Sequence, residues 1–213
     1  MKSIEAVFFD FDGVLIDSEP VHHAAWSEAL APLDIEVSIA EYEEQFIGID
    51  DRHAIERLAA SQNPPRTFED VWAVFPHKQR VFLERILAEQ LIAEETRKLL
   101  EQLKFEGYFL GVVSSSSSCE VWPALERNGL RHLFDLGVFA EDVSRKKPDP
   151  EPYQKALQIA GVTRALVLED SRAGIASASA AGCEVIRVLD VNQVASQVRE
   201  RLGLVEEGAD FQT

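Results

Sequence analysis

Positive charge is in short supply in this sequence. Its 21 lysines and arginines stand against 37 aspartates and glutamates, a net charge of −16 over 213 residues. A surface this acidic repels phosphate backbones and anionic lipid, which argues against nucleic acid or a membrane as partner. An anionic substrate would need its own local concentration of cationic groups. Cysteine is equally sparse: Cys119 and Cys183 are too few for a disulfide framework, and no C-x-x-C pair offers a zinc or redox site of that kind. Long apolar runs are missing. The longest uncharged stretch, residues 108–119, includes five serines and falls far short of a membrane span. Glu5 and Asp10 interrupt the N-terminus, so it holds no signal-peptide core. The expectation is a soluble protein of a reducing, cytoplasmic compartment.

What is present reads as an ordinary globular chain, 46% hydrophobic and 27% charged. Short apolar runs at residues 6–9, 109–113, 165–168 and 185–188, with a weaker one at 137–139, have the length and residue types of buried parallel strands. Helical patterns at 120–128, 152–160 and 175–181 each end at a glycine, Gly129, Gly161 and Gly182. Alternating strand and helix implies an α/β fold, a Rossmann-like doubly wound parallel sheet. Residues 20–89 break the alternation. Helical patterns at 22–33, 39–46, 51–60 and 68–91, with a turn at Asn63-Pro64-Pro65, imply an all-helical insertion just after the first strand. The expected division is a core of residues 1–16 and 90–213 and a helical cap of residues 17–89.

Four segments carry the chemistry. In Phe8-Phe9-Asp10-Phe11-Asp12-Gly13-Val14 an apolar strand stops at Asp10, and doubly wound sheets bind ligands at the carboxyl ends of their strands. Aspartates spaced i, i+2 can face one crevice as the chain leaves the strand, and Gly13 permits the turn. Leu168-Glu169-Asp170-Ser171 repeats the pattern. Its neighbouring carboxylates repel unless a cation lies between them, and an oxygen-only ligand set suits Mg²⁺. Ser114-Ser115-Ser116 sits between a strand and a helix start, where hydroxyls and backbone N–H groups can cradle an anion. Arg145-Lys146-Lys147-Pro148-Asp149-Pro150 concentrates scarce cations, and Pro148 restricts Lys147 to extended backbone. Alone, each has a plain structural reading: an acidic turn, a serine linker, a basic surface loop. Their succession along one α/β chain favours a site.

The order DFDGV, serine after Val112-Val113, KKP and LEDS resembles the haloacid dehalogenase-like superfamily. Asp17-Ser18-Glu19-Pro20 with His22 and Trp26, and the helical insertion, look like its β-phosphoglucomutase-like branch. The resemblance covers nearly the whole chain and implies a mobile helical cap over a Rossmann-like core. It also implies roles. Asp10 would be the nucleophile that becomes an aspartyl-phosphate, and Asp12 the acid and then the base. Ser114, with Ser115, Ser116 and Lys147, would bind the phosphoryl group. Asp10, the Asp12 carbonyl and Asp170 would hold Mg²⁺, with Glu169 ligating through water or orienting Lys147. Glu19 and His22 would contact substrate from the cap. Four carboxylates against Lys147 leave this site at −3, or −1 with Mg²⁺, before any phosphate arrives. Dehalogenases of the superfamily lack the second aspartate, so Asp12 favours phosphoryl transfer.

The implied activity is hydrolysis of a small phosphomonoester, a sugar phosphate or related metabolite. A phosphosugar mutase is the alternative. Mutases of the branch grip the distal phosphate with an arginine three residues after a cap glycine. In Gly48-Ile49-Asp50-Asp51-Arg52 that position is Asp51, an acid, and Arg52 is about 100° further round a helix. His22 and Lys78 fit mutase-like positions and keep the alternative open. A non-catalytic phosphometabolite-binding protein would be favoured by loss of Asp10, Asp12, Lys147 or Asp170, and all four are present. Trp72, Phe75 and Phe82, at helical spacing, read as core.

Overall fold

The computed structural model describes residues 4–47, 49, 51–88 and 92–205. The chain divides into two compact units, Met1–Asp17 with Ile92–Thr213, and Ser18–Leu91. Strand β1 (Ala6–Phe9) leads into the helices of the second unit: α1 (Glu19–Leu30), α2 (Ile39–Gln45), α3 (Asp51–Ser61), α4 (Phe68–Trp72) and α5 (Phe75–Ala88). The first unit resumes with α6 (Glu94–Phe105), β2 (Phe109–Val113), α7 (Ser118–Arg127), β3 (Leu136–Val138) and α8 (Glu151–Ala160). It ends with β4 (Ala165–Glu169), α9 (Arg172–Ala180), β5 (Glu184–Arg187) and α10 (Val194–Leu202).

The sheet runs β3-β2-β1-β4-β5, and every neighbouring pair is parallel. Strands β1 and β4 are buried along their whole length, which is why they read as unbroken apolar runs. Side chains alternate between faces. Ala6 and Phe8 join Val113, Val167, Tyr153, Ala156 and Ala178 in one hydrophobic cluster, while Val7 and Phe9 are equally buried on the other face. Successive strands step to one side of β1 through β2 and β3, then to the other side through β4 and β5. This reversal makes β1 the switch point, where a Rossmann-like sheet opens a crevice at its carboxyl edge. The register opposes Phe9 to Val112 and to Leu168. Asp10, Val113 and Glu169 therefore lie at the same height along the sheet.

The second unit is helical, with no strand among its described residues, and packs Trp26, Leu30, Tyr42, Phe46, Ile55, Leu58 and Val71 into a core of its own. Trp72 and Phe75 stack at 5.0 Å between ring centroids, and Phe82 is buried. The helix expected over 68–91 is two helices, and Leu91 lies outside the described residues. Pro76 explains the break: it has no N–H to donate back along the chain, so it can sit only in the first turn of α5. Helix α1 begins at Glu19 rather than 22 because Pro20 occupies its first turn, and residues 31–33 tighten into a 3₁₀ turn. Strand β3 lies one residue earlier than expected, since the Phe139 N–H donates to Asp142 Oδ2 at 3.0 Å and leaves the ladder. Strand β5 also starts one residue early, at Glu184. Helices α6 and α10 have no counterpart among the expected elements. In α6 the buried Leu99, Leu100 and Leu103 are embedded among six charged residues. Among the described residues, no helix is long and apolar enough to cross a membrane.

Candidate active site

The crevice at β1 is built by turns that only particular residues allow. Asp10 follows the strand directly, its N–H still donating to Leu168 O at 3.0 Å. Its Oδ1 accepts the Phe11 N–H at 2.8 Å, which turns the carboxylate back over the strand end. Gly13 then takes φ +70°, left-handed backbone that favours glycine, and a Cβ there would collide with the Asp170 carboxylate. A Cβ on Gly174, in the first turn of α9, would likewise collide with the Glu169 carboxylate. Two glycines thus make room for the two acids at the end of β4. Asp10, Glu169 and Asp170 each offer an oxygen within 4.8 Å of the others.

Lys147 stands among these acids with its side chain buried. Its Nζ donates to Val113 O at 2.9 Å and to Glu169 Oε1 at 2.5 Å, and lies 3.1 Å from Asp10 Oδ1. Three acceptors match the three donors of an ammonium group. Burial works against the Lys147 charge, but Asp10 and Glu169 outweigh it and shift its pKa upward. Burial pushes Asp10 well above the usual carboxylate range, and repulsion from Glu169 adds to this against the pull of Lys147. A hard dication fits such a cluster, because oxygen donors and uncompensated negative charge are what Mg²⁺ takes.

Asp12 and the serine loop meet across the crevice. Ser116 Oγ donates to Asp12 Oδ2 at 2.8 Å. The loop offers fewer open amides than its sequence implies. The Ser114 N–H donates to Val138 O at 2.9 Å, and the Ser116 N–H to Ser114 Oγ at 2.9 Å. The N–H groups of Ser117 and Ser118 go to Glu120 and Glu141. The expected run of consecutive anion-binding amides is therefore reduced to Ser115, which is exposed.

Glu19 and His22 belong to the other unit. Glu19 accepts from Tyr42 OH at 2.8 Å, and His22 stacks on Phe82 with ring centroids 3.9 Å apart. In the same unit Lys78 is buried between Trp26, Phe75 and Phe82 and pairs with Asp51 Oδ1 at 3.0 Å. Arg52 pairs with Glu56 at 3.3 Å and lies over the Phe68 ring. Gly48 and Asp50, which the mutase comparison uses, lie outside the described residues.

Three neighbours of the site are absent from the sequence-based set. Tyr153 is fully buried and donates to Glu169 Oε1 at 2.5 Å. Ser171 Oγ donates to Glu169 Oε2 at 3.2 Å, and Gly174 lies behind the same carboxylate. Helical periodicity assigns Tyr153 to the core, and the sequence carries no signal that its hydroxyl meets a carboxylate.

A family model described as haloacid dehalogenase-like hydrolase matches residues 7–188. The chain is 31% identical over 188 residues to a phosphorylated carbohydrates phosphatase of Thermotoga maritima, covering 86% of this chain and 84% of that protein. It is 31% identical over 206 residues to a phosphoglycolate phosphatase of Salmonella paratyphi A, covering 86% and 80%. The crystal structure of CbbY from Rhodobacter sphaeroides in complex with phosphate superposes with a TM-score of 0.75 at 27% identity, over 86% of each chain. With the acidic crevice at the switch point and a family match spanning most of its length, this chain belongs to the haloacid dehalogenase-like hydrolases.

Proposed function

We propose that the chain is a Mg²⁺-dependent phosphatase that hydrolyses a small phosphomonoester, a sugar phosphate or related metabolite, through an aspartyl-phosphate on Asp10. The observation that carries this reading is the Asp10–Lys147–Glu169 constellation with Asp170 beside it, at the carboxyl edge of adjacent strands. The phosphatases among its relatives support the same class, and the phosphorylated-carbohydrate relative supports the substrate. The acidic, cysteine-poor composition supports a cytoplasmic setting.

In this mechanism an Asp10 oxygen attacks phosphorus, and the bond from phosphorus to the ester oxygen breaks. Asp12 gives its proton to the departing oxygen, which leaves as the alcohol. The Asp12 carboxylate then takes a proton from water. The resulting hydroxide attacks phosphorus, the Asp10–phosphorus bond breaks, and inorganic phosphate departs. Ser116 holds Asp12 for both proton transfers. Lys147, Ser114 and Ser115 bind the phosphoryl oxygens. Asp10, the Asp12 carbonyl and Asp170 would hold Mg²⁺, with Glu169 orienting Lys147. When bound, the cation supplies positive charge that favours ionised Asp10 and offsets the phosphate dianion.

The pairing inside the helical unit favours hydrolysis over mutase chemistry. Lys78 neutralises Asp51, and Arg52 is engaged by Glu56 and Phe68. Both cations that a distal phosphate would call on already have partners.

A release assay tests the proposal. The chain is incubated with sugar monophosphates, phosphoglycolate and β-glucose 1-phosphate, the last with and without its bisphosphate, in Mg²⁺ or in chelator. Inorganic phosphate should accumulate in Mg²⁺ and stop in chelator, with little isomerised sugar. Full activity in chelator contradicts the cation site. Conversion of β-glucose 1-phosphate to glucose 6-phosphate without phosphate release would make the chain a mutase.

A further inference from the structure

We infer that Tyr153 is a positioning residue of the active site: its phenol hydroxyl orients the Glu169 carboxylate and thereby sets the place of Lys147 and the strength of cation binding. The inference rests on the cation-site reading above. Tyr153 has no exposed surface and packs among Phe8, Val113 and Ala178, where a phenylalanine ring would fill the same space. A hydroxyl in such a place is costly unless it is hydrogen-bonded. Its partner is Glu169 Oε1, at 2.5 Å, and the same oxygen accepts from Lys147 Nζ at 2.5 Å.

Two donors on one oxygen, Ser171 Oγ on the other and Gly174 behind leave the Glu169 carboxylate no free rotation. Removing the phenol hydroxyl leaves Lys147 as the sole donor at Oε1 among the described residues. The carboxylate can then follow the flexible lysine rather than hold it.

The chain between the two donors is stiff. Pro148, Pro150 and Pro152 alternate between Lys147 and Tyr153, each fixing φ. Asp149 is tied down by Ser177 Oγ on its carbonyl at 2.5 Å, and by the Glu151 N–H on its side chain at 3.0 Å. Lys147 and Tyr153 therefore reach Glu169 as two arms of one rigid segment, with the lysine Nζ 5.2 Å from the centre of the tyrosine ring.

The test is Mg²⁺ binding to the full chain, by calorimetry, in wild type, Tyr153→Phe, Glu169→Gln and the double variant. Tyr153→Phe should fold and weaken Mg²⁺ by roughly tenfold, the order of loss when a residue just behind a metal's own ligands loses its support. Glu169→Gln should weaken Mg²⁺ as well. Adding Tyr153→Phe to it should change nothing further, because the hydroxyl acts through that carboxylate. Leu157→Ala, a packing change on the same helix, should lower thermal stability and leave Mg²⁺ affinity as in wild type. Wild-type affinity in Tyr153→Phe overturns the inference while leaving the phosphatase reading intact. So does an equal further loss when Tyr153→Phe is added to Glu169→Gln, or a Tyr153→Phe chain that no longer folds. Failure of the wild type to bind Mg²⁺ overturns the cation-site reading itself, and the inference with it.

Discussion

The Glu169 carboxylate lies against the backbone of Gly174, in the space that a Cβ would need. Alanine in a helix is ordinarily better than glycine by about 0.5–1 kcal/mol. Here the sign should reverse. Gly174→Ala must push a carboxylate that Lys147, Tyr153 and Ser171 hold in place, and overpacking of this kind costs about 1–3 kcal/mol. Chemical denaturation should show a net loss of stability. Phosphate release should fall at least about tenfold, as when a residue just behind a metal's own ligands is displaced. A more stable and fully active Gly174→Ala chain would mean that the contact yields freely.

Lys147 pairs with two buried acids, with 4% of its side chain exposed. Lys147→Met keeps the length of the side chain and removes the charge. Breaking a buried ion pair from one side costs about 3–5 kcal/mol, so the metal-free variant should unfold at clearly lower denaturant concentration. Mg²⁺ should restore part of the loss by replacing the missing charge. An unchanged midpoint without Mg²⁺ would show that Asp10 and Glu169 do not need the lysine.

The strands that form the site were legible because they are buried on both faces. The apolar runs at 6–9 and 109–113 coincide with β1 and β2. The acids at the end of β4 stood out because charge follows directly on such a run. What could not be read is pairing at a distance. Ser116 reaches Asp12 across 104 residues, and Tyr153 reaches Glu169 across 16. Nothing in a linear pattern separates a core tyrosine from one whose hydroxyl meets a carboxylate. Nor does the run of serines tell which of its amides are taken, and neighbouring carbonyls, hydroxyls and carboxylates take most of them. Helix α6 escaped notice because its leucine stripe is narrow among its charges.

The two cysteines should differ in their reactivity towards alkylating reagents. Cys119 is exposed, whereas burial raises the Cys183 thiol to about 11. Alkylation near pH 8 should label Cys119 and spare Cys183. The same shift links Cys183 to stability. As pH rises from about 9 to about 11, the unfolded chain releases this proton before the folded one, so stability falls with pH. Melting curves across this range should be flatter for Cys183→Ala than for wild type. Equal labelling of both thiols at pH 8 would place Cys183 in a more open setting than the sheet edge provides.

Covalent phosphate on Asp10 is the central claim. The chain is mixed with Mg²⁺ and a hydrolysed sugar phosphate, quenched in acid during turnover, digested and read by mass spectrometry. The peptide holding Asp10 should carry one phosphoryl group, and Asp10→Asn should abolish both that group and phosphate release while the fold remains. Phosphate found on Ser114 instead, or turnover that survives Asp10→Asn, would contradict the account.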